Sequence, residues 1–238
     1  MFEILLLSAA LAAQPDAASL LESADAPRQS FLHSVVKMRA TVKQAGKPPQ
    51  IGEFDLYIGN EDEQLVVFRD KRNKGRKFLM HGDKAWLIVP GSQHAIAVTP
   101  TQRMLGAMSY ADIARVRLAQ DYRGSLQPGM QPCGEPAQPC RVVDITATAK
   151  SAPYASGTLW IDGDGLLRKA VYSLASGKPA KEITYAYTDK DGRTEPASMT
   201  LIDLLLPDKS GTTRLEYLSL QPARHPAATF DPEQQLKH

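Results

Sequence analysis

Five histidines, His33, His81, His94, His225 and His238, are the side chains best suited to ligate a metal or move a proton near neutral pH. None pairs with another at helical or strand spacing. The two cysteines, Cys133 and Cys140, have no histidine nearby to complete a four-ligand set. The turn Asp162-Gly163-Asp164-Gly165 offers two carboxylates of the kind a calcium loop uses. It lacks the later oxygen ligands and the closing Glu, so turn chemistry accounts for it better. There is no Gly-x-Ser-x-Gly elbow, phosphate loop or dinucleotide fingerprint. We therefore expect no catalytic residue, no metal and no cofactor. A triad assembled from distant residues is the alternative that spacing leaves open.

The chemistry that remains is apolar. Met38, Met80, Met104, Met108, Met130 and Met199 are a generous supply for a strand-rich chain, and methionine adapts to irregular partners. They either fill gaps in a core or line a pocket for a variable apolar ligand. The stretch from Lys84 to Tyr122 concentrates this character. It carries two apolar runs closing on Pro90 and Pro100, and then a Met-rich, Tyr-containing segment.

The elements that must position these residues are mostly strands. Leu32–Gln44 alternates, with Val36, Met38, Ala40 and Val42 on one face and Val35, Lys37, Arg39, Thr41 and Lys43 on the other. Strand signals then recur at 51–58, 64–69, 76–81, 85–89 and 94–98, separated by Gly-, Asn-, Asp- and Pro-rich turns. They resume at 122–126, 141–147, 157–162, 167–173, 181–187, 197–204 and 212–220, giving about 11–12 strands of an antiparallel meander. An amphipathic helix is predicted from Asp16 to Arg28, with Asp16 as cap. Between Gln102 and Ala119 alternation lapses and the composition favours helix. Gly106 and Ser109 divide that segment, with Ser109 and Asp112 forming an approximate capping box. In the tail, Phe230 is the residue expected to pin the terminus to the body.

Of the 238 residues 43% are hydrophobic and 23% charged, which is ordinary for a globular chain, and the net charge of +2 gives no footprint for nucleic acid. The run Arg69–Lys77 is the one cationic cluster; it is either a solvated turn or a surface for anionic head groups or an acidic partner. Residues 1–13 have an apolar stretch followed by Ala10-Leu11-Ala12, which predicts a cleaved signal peptide and an exported, soluble chain; a native first helix is the alternative. Cys133 and Cys140 flank a Pro- and Gly-containing loop, and in an exported protein that spacing suggests a disulfide, with two buried thiols as the alternative.

Several motifs, taken in order, are familiar. They are Gly75-Arg76-Lys77, Gly82-Asp83-Lys84-Ala85-Trp86-Leu87-Ile88-Val89-Pro90, Gln102-Arg103, Leu105-Gly106-Ala107-Met108-Ser109-Tyr110-Ala111-Asp112-Ile113, Asp121-Tyr122, Leu159-Trp160-Ile161-Asp162 and Lys181-Glu182-Ile183-Thr184-Tyr185. Their succession resembles the outer-membrane lipoprotein-sorting protein family, of LolA/LolB-like fold. The resemblance implies a mainly β protein with short helices, an unclosed antiparallel β-barrel or half-pipe under a helical lid, as one domain over residues 14–238. It implies a periplasmic carrier that takes up acyl chains of a lipid or lipoprotein and delivers them towards the outer membrane. Its partners would be an inner-membrane exporter and an outer-membrane acceptor, and it would act as a monomer. On that template Met104, Leu105, Met108, Tyr110 and Ile113 belong to the lid, which opens near Gly106, and Trp86, Ile88 and Met199 line the concave face. A regulatory or sensor module of the same fold, binding a lipid or a protein partner, is the alternative.

Overall fold

The structure is a computed structural model and describes residues 15–29, 31–114, 116–207 and 211–237. The signal peptide expected over residues 1–13 lies outside the described residues, as do His238 and most of the turn expected before Gly211. Helix α1 (Ala17–Gln29) starts where expected. The Asp16 carboxylate accepts the Ser19 N–H at 2.8 Å, and Leu20, Leu21 and Ala24 are buried. Pro27 sits in the last turn.

The first half of the chain forms β1 (Ser34–Lys43), β2 (Gln50–Ile58), β3 (Glu63–Phe68), β4 (Lys77–His81), β5 (Lys84–Ile88) and β6 (Ile96–Ala97). The second half forms β9 (Tyr122–Cys133), β10 (Gln138–Ala147), β11 (Ser156–Ile161), β12 (Leu167–Ser173), β13 (Pro179–Lys190), β14 (Arg193–Asp203) and β15 (Thr212–Pro222). These thirteen strands make one sheet in the order β6-β5-β4-β3-β2-β1-β15-β14-β13-β12-β11-β10-β9, with antiparallel pairing throughout. Strands β6 and β9 stand at opposite ends of that order, so the sheet is not closed into a barrel. Each half is a meander, and the halves join where β1 pairs with β15, Val36 opposite Leu220 and Ala40 opposite Leu215.

Between the halves the structure departs from the expected helix. Residues 103–109 form a hairpin, β7 (Arg103–Leu105) and β8 (Met108–Ser109), followed by the short helices α2 (Tyr110–Ala114) and α3 (Leu118–Asp121). The cause is tertiary. Gly106 has φ +57°, and a Cβ there would lie 2.2 Å from Thr213 Oγ1 and 2.7 Å from Val42 Cγ2. The neighbouring Ala107 N–H donates to Thr213 Oγ1 at 2.8 Å, and Arg103 pairs with Asp203 of β14. Docking of this tip onto β1 and β15 outweighs helix propensity, which is a weak prior. The position expected to be a hinge is thus a packed anchor.

A second departure concerns β9 and β10, which run on as far as the cysteines. Cys133 and Cys140 end the hairpin and form a disulfide with Cα atoms 5.9 Å apart.

The sheet buries residues on both faces. The larger cluster joins Val36, Met38, Phe54, Phe78, Ile145, Leu159, Tyr172 and Met199 to Leu20, Leu21, Met108, Tyr110 and Leu118 of the covering segments. The smaller holds Leu65, Val67, Leu79 and Ile88 under Phe230. Phe230 belongs to a 3-10 turn (Ala227–Phe230) that leads into α4 (Pro232–Leu236). Trp86 and Ile88, expected on the concave lining beneath the lid, lie instead in this smaller cluster, whereas Ala85 faces the larger one. Strand period two puts Trp86 and Ile88 in the opposite phase from Ala85.

The sheet must curl around the larger cluster. Tyr110 stacks on Phe78 of β4 with centroids 3.6 Å apart, while Asp112 reaches Lys181 of β13 at 2.5 Å. Strands β4 and β13 are six places apart in the sheet order. In a flat sheet they would be separated by about 29 Å, against roughly 7.5 Å for a five-residue helix. Only a wrapped sheet lets one short helix touch both.

Candidate functional site

The covering segment 103–121 is held by a buried polar hub. The Asp112 carboxylate is almost fully buried. It accepts from Ser109 N at 2.7 Å, Ser109 Oγ at 2.8 Å, Tyr154 OH at 2.7 Å and Lys181 Nζ at 2.5 Å. The expected box is therefore half formed, since Asp112 caps the Ser109 N–H while the Ser109 hydroxyl turns to the carboxylate. Burial, reinforced by this carboxylate, pushes the Tyr154 phenol well above its usual range and keeps it a donor. Tyr154 in turn stacks on Tyr172 at 4.5 Å.

Beside the hub, a cleft of about 200 Å³ opens between α1 on one side and α2, Val116–Arg117 and α3 on the other. Its apolar wall is Phe31, Leu32, Ile58, Ile113, Val116 and Tyr217. Polar contacts close its rim. Gln120 Nε2 donates to Glu61 at 3.0 Å, Ala119 N to Asp25 at 2.9 Å, and Arg117 Nη1 to Asp62 at 2.8 Å. Inside, the Arg28 guanidinium donates to the carbonyls of Val116 at 2.7 Å and Asp112 at 3.3 Å, tying α1 to the covering segment. Behind Arg28 lie Tyr172, Tyr185, Tyr187 and Tyr217. Burial raises all four phenols, Tyr185 to about 12, so they stay neutral against the guanidinium. Asp25 is raised too, first by burial.

An open, curled antiparallel sheet under a tethered helical cover is a recognisable architecture. A family model described as "-like: Uncharacterized protein" matches residues 60–236, and the chain belongs to that family. No curated protein matches the sequence. Among solved structures the chain is similar to a LolA superfamily protein from Nitrosomonas europaea, with a TM-score of 0.80 at 21% identity over 92% of this chain and 98% of that one. It is also similar to a DUF1329 family protein from Desulfovibrio piger, with a TM-score of 0.72 at 18% identity over 92% and 98%. The fold is LolA-like.

Within this LolA-like fold the residues singled out by sequence separate into three groups. Ile113 lines the cleft. Leu105, Met108, Tyr110 and Met199 are buried in the larger cluster, with Met104 packed against it. Trp86 and Ile88 lie on the other face. None of the methionines among the described residues lines the cleft; Met38, Met80, Met108 and Met199 fill the core, and Met130 is exposed. Sequence reasoning missed Arg28, Phe31, Leu32, Ile58, Val116 and Tyr217. The alternation of Phe54, Leu56 and Ile58 along β2 carried a usable signal, but nothing local showed that α1 meets the covering segment.

The cationic run 69–77 is a turn between β3 and β4. Arg69 pairs with Asp55 at 2.8 Å, Asp70 accepts the Asn73 N–H, and Lys77 Nζ donates to the Gln235 carbonyl at 2.9 Å. Asp162 serves its turn, accepting from the N–H groups of Asp164 and Leu166 and from Arg168 Nε. His81 and His225 donate to the carbonyls of Phe230 and Ser34 and help to seat the tail. Among the described residues no group of three or more His, Cys, Asp or Glu could hold a metal ion, and no helix is long and apolar enough to cross a membrane.

Proposed function

We propose that this protein is a periplasmic carrier that shelters acyl chains of a lipid or lipoprotein and delivers them towards the outer membrane. In this reading residues 1–13 are a signal peptide and residues 14–238 one lipid-binding domain. The carrier is monomeric, and an inner-membrane exporter and an outer-membrane acceptor are its partners. The observation that carries it is the apolar cleft beneath a cover whose rim is held only by surface polar contacts. Such contacts are worth little individually, so the rim at residues 117–120 can part from Asp25, Glu61 and Asp62 while the buried hub at Asp112 keeps the rest of the cover seated. The LolA-like fold supports a binding role.

The volume bears on mechanism. About 200 Å³ is less than the roughly 300–1,000 Å³ of pockets that enclose drug-sized ligands, so the closed form holds part of a chain and uptake requires the cover to move. Each methylene then sheltered contributes about 0.8 kcal/mol, so a modest opening cost is recovered within a few carbons. Handing over the cargo requires an acceptor of greater affinity.

Native mass spectrometry of the protein isolated from its own envelope should show a bound acyl species. Joining positions 61 and 120 through Glu61→Cys and Gln120→Cys should abolish uptake of a neutral fluorescent acyl probe until a reductant is added. An empty protein that ignores the neutral probe in both states would overturn the proposal.

A further inference from the structure

The hydrogen-bonding capacity of the cleft is unbalanced. The cationic side chains facing it are already engaged inside the protein. Arg28 serves two carbonyls of the cover, Arg117 pairs with Asp62 and Asp121, and Gln120 Nε2 serves Glu61. Acceptors remain. Glu22 has no polar partner among the described residues, and Glu61 shares one carboxylate oxygen with Gln120. Deeper in the same lining, Gln64 is 8% exposed and its Oε1 has no hydrogen-bond partner. A buried amide oxygen left unmade costs free energy that a donating ligand would recover. Charge points the same way. The lining carries Glu22, Asp25 and Glu61 against two guanidiniums, and Arg117 is already flanked by Asp62 and Asp121. The Asp25 carboxylate, raised chiefly by burial, is poorly solvated as an anion and would gain from a cation nearby.

We infer that the cleft selects amphiphiles with an ammonium head. The chain lies on Phe31, Leu32, Ile58, Ile113 and Val116, and the head donates to Gln64 Oε1 and to the carboxylates of Glu22 and Glu61. This assignment rests on the carrier reading and narrows it to a class of cargo. A fatty acid or phosphate monoester would set a further anion against the carboxylates of Glu22, Asp25 and Glu61.

The test uses the full-length protein and three probes of equal chain length below their aggregation concentrations: decylamine, decanoate and decanol. Each displaces a neutral fluorescent probe. One or two charge-assisted contacts at a part-exposed site should make decylamine bind about tenfold more tightly than decanoate, with decanol between. Glu22→Gln with Glu61→Gln should cut that preference to about threefold or less and weaken decylamine more than decanol, whose hydroxyl an amide oxygen can still accept; the new amide at position 61 also still accepts from Gln120. Both positions are exposed, so the fold should survive, and circular dichroism checks that. Gln64→Leu should weaken decylamine alone. Equal binding of all three probes, or a preference that survives the double variant, would overturn the head-group assignment and leave the carrier reading standing. Failure of all three to bind would remove both.

Discussion

The two faces of the sheet are buried in different ways. The face under α4 is closed by a short tail that places Phe230 on four aliphatic residues and fastens the backbone through Lys77, His81 and His225. The face under α1 and α2 gathers side chains from both ends of the sheet but is interrupted by a buried ion pair, a half-buried arginine and a cleft. Apolar residues could have filled that space at less desolvation cost, since a buried ion pair is often no more stable than a hydrophobic replacement. What the polar groups supply is definition. They fix where the cover sits, while the tail only has to stay down.

This contrast can be broken most severely at Asp112. Asp112→Ala strands the Lys181 ammonium and should cost roughly 3–5 kcal/mol in denaturant unfolding, whereas Asp112→Leu with Lys181→Met should restore most of it. Recovery in the double variant without recovery of ligand uptake would mark the pair as a positioning device. Phe230→Ala should cost about 3 kcal/mol, with faster hydrogen exchange concentrated in β3 to β5 and no change in ligand binding. Loss of binding there would show that the two faces are coupled. Arg28→Met removes two charged hydrogen bonds to the cover and should cost about 2 kcal/mol, with faster exchange of the amides at 110–121.

The smallest effect is electrostatic. Asp25 has its pKa raised in the fold above 3.8, so its acid form favours folding. That contribution is complete below the usual carboxylate range and is lost as pH rises through the folded value. Asp25→Asn keeps the acceptor for Ala119 N–H. It should therefore flatten the mildly acidic limb of the stability profile and gain less than about 1 kcal/mol at pH 7.

Strand identity was legible because alternation is local. β12 falls where periodicity put it, and β1 buries Val36, Met38, Ala40 and Val42 as expected. Within segment 102–119 helix does begin at Tyr110, as the Ser109 boundary predicts, but residues 103–109 misled because composition speaks for helix, while the tip at Gly106 answers to Thr213 and Val42, residues far away in the chain. The site was less legible for the same reason. Arg28 looks like a solvent-facing helix residue until α1 is laid against Val116, and Trp86 needs a phase that its own strand cannot supply. Methionine content pointed to apolar packing but not to the cleft, which is walled by residues from α1, β2, α2 and β15.

The pairing of β1 with β15 bears on how the molecule comes into being. Strand β15 inserts between β1 and β14, at the middle of the sheet, yet along the chain it follows the twelve other strands of that sheet. Until it arrives, a nascent chain holds two partial meanders with bare inner edges. Such edges recruit other strands, and pairing between segments so distant in sequence is slow to form. A chain stalled before residue 212 should therefore be adhesive rather than merely incomplete, and the interval before β15 docks is the period of greatest need for a holding chaperone.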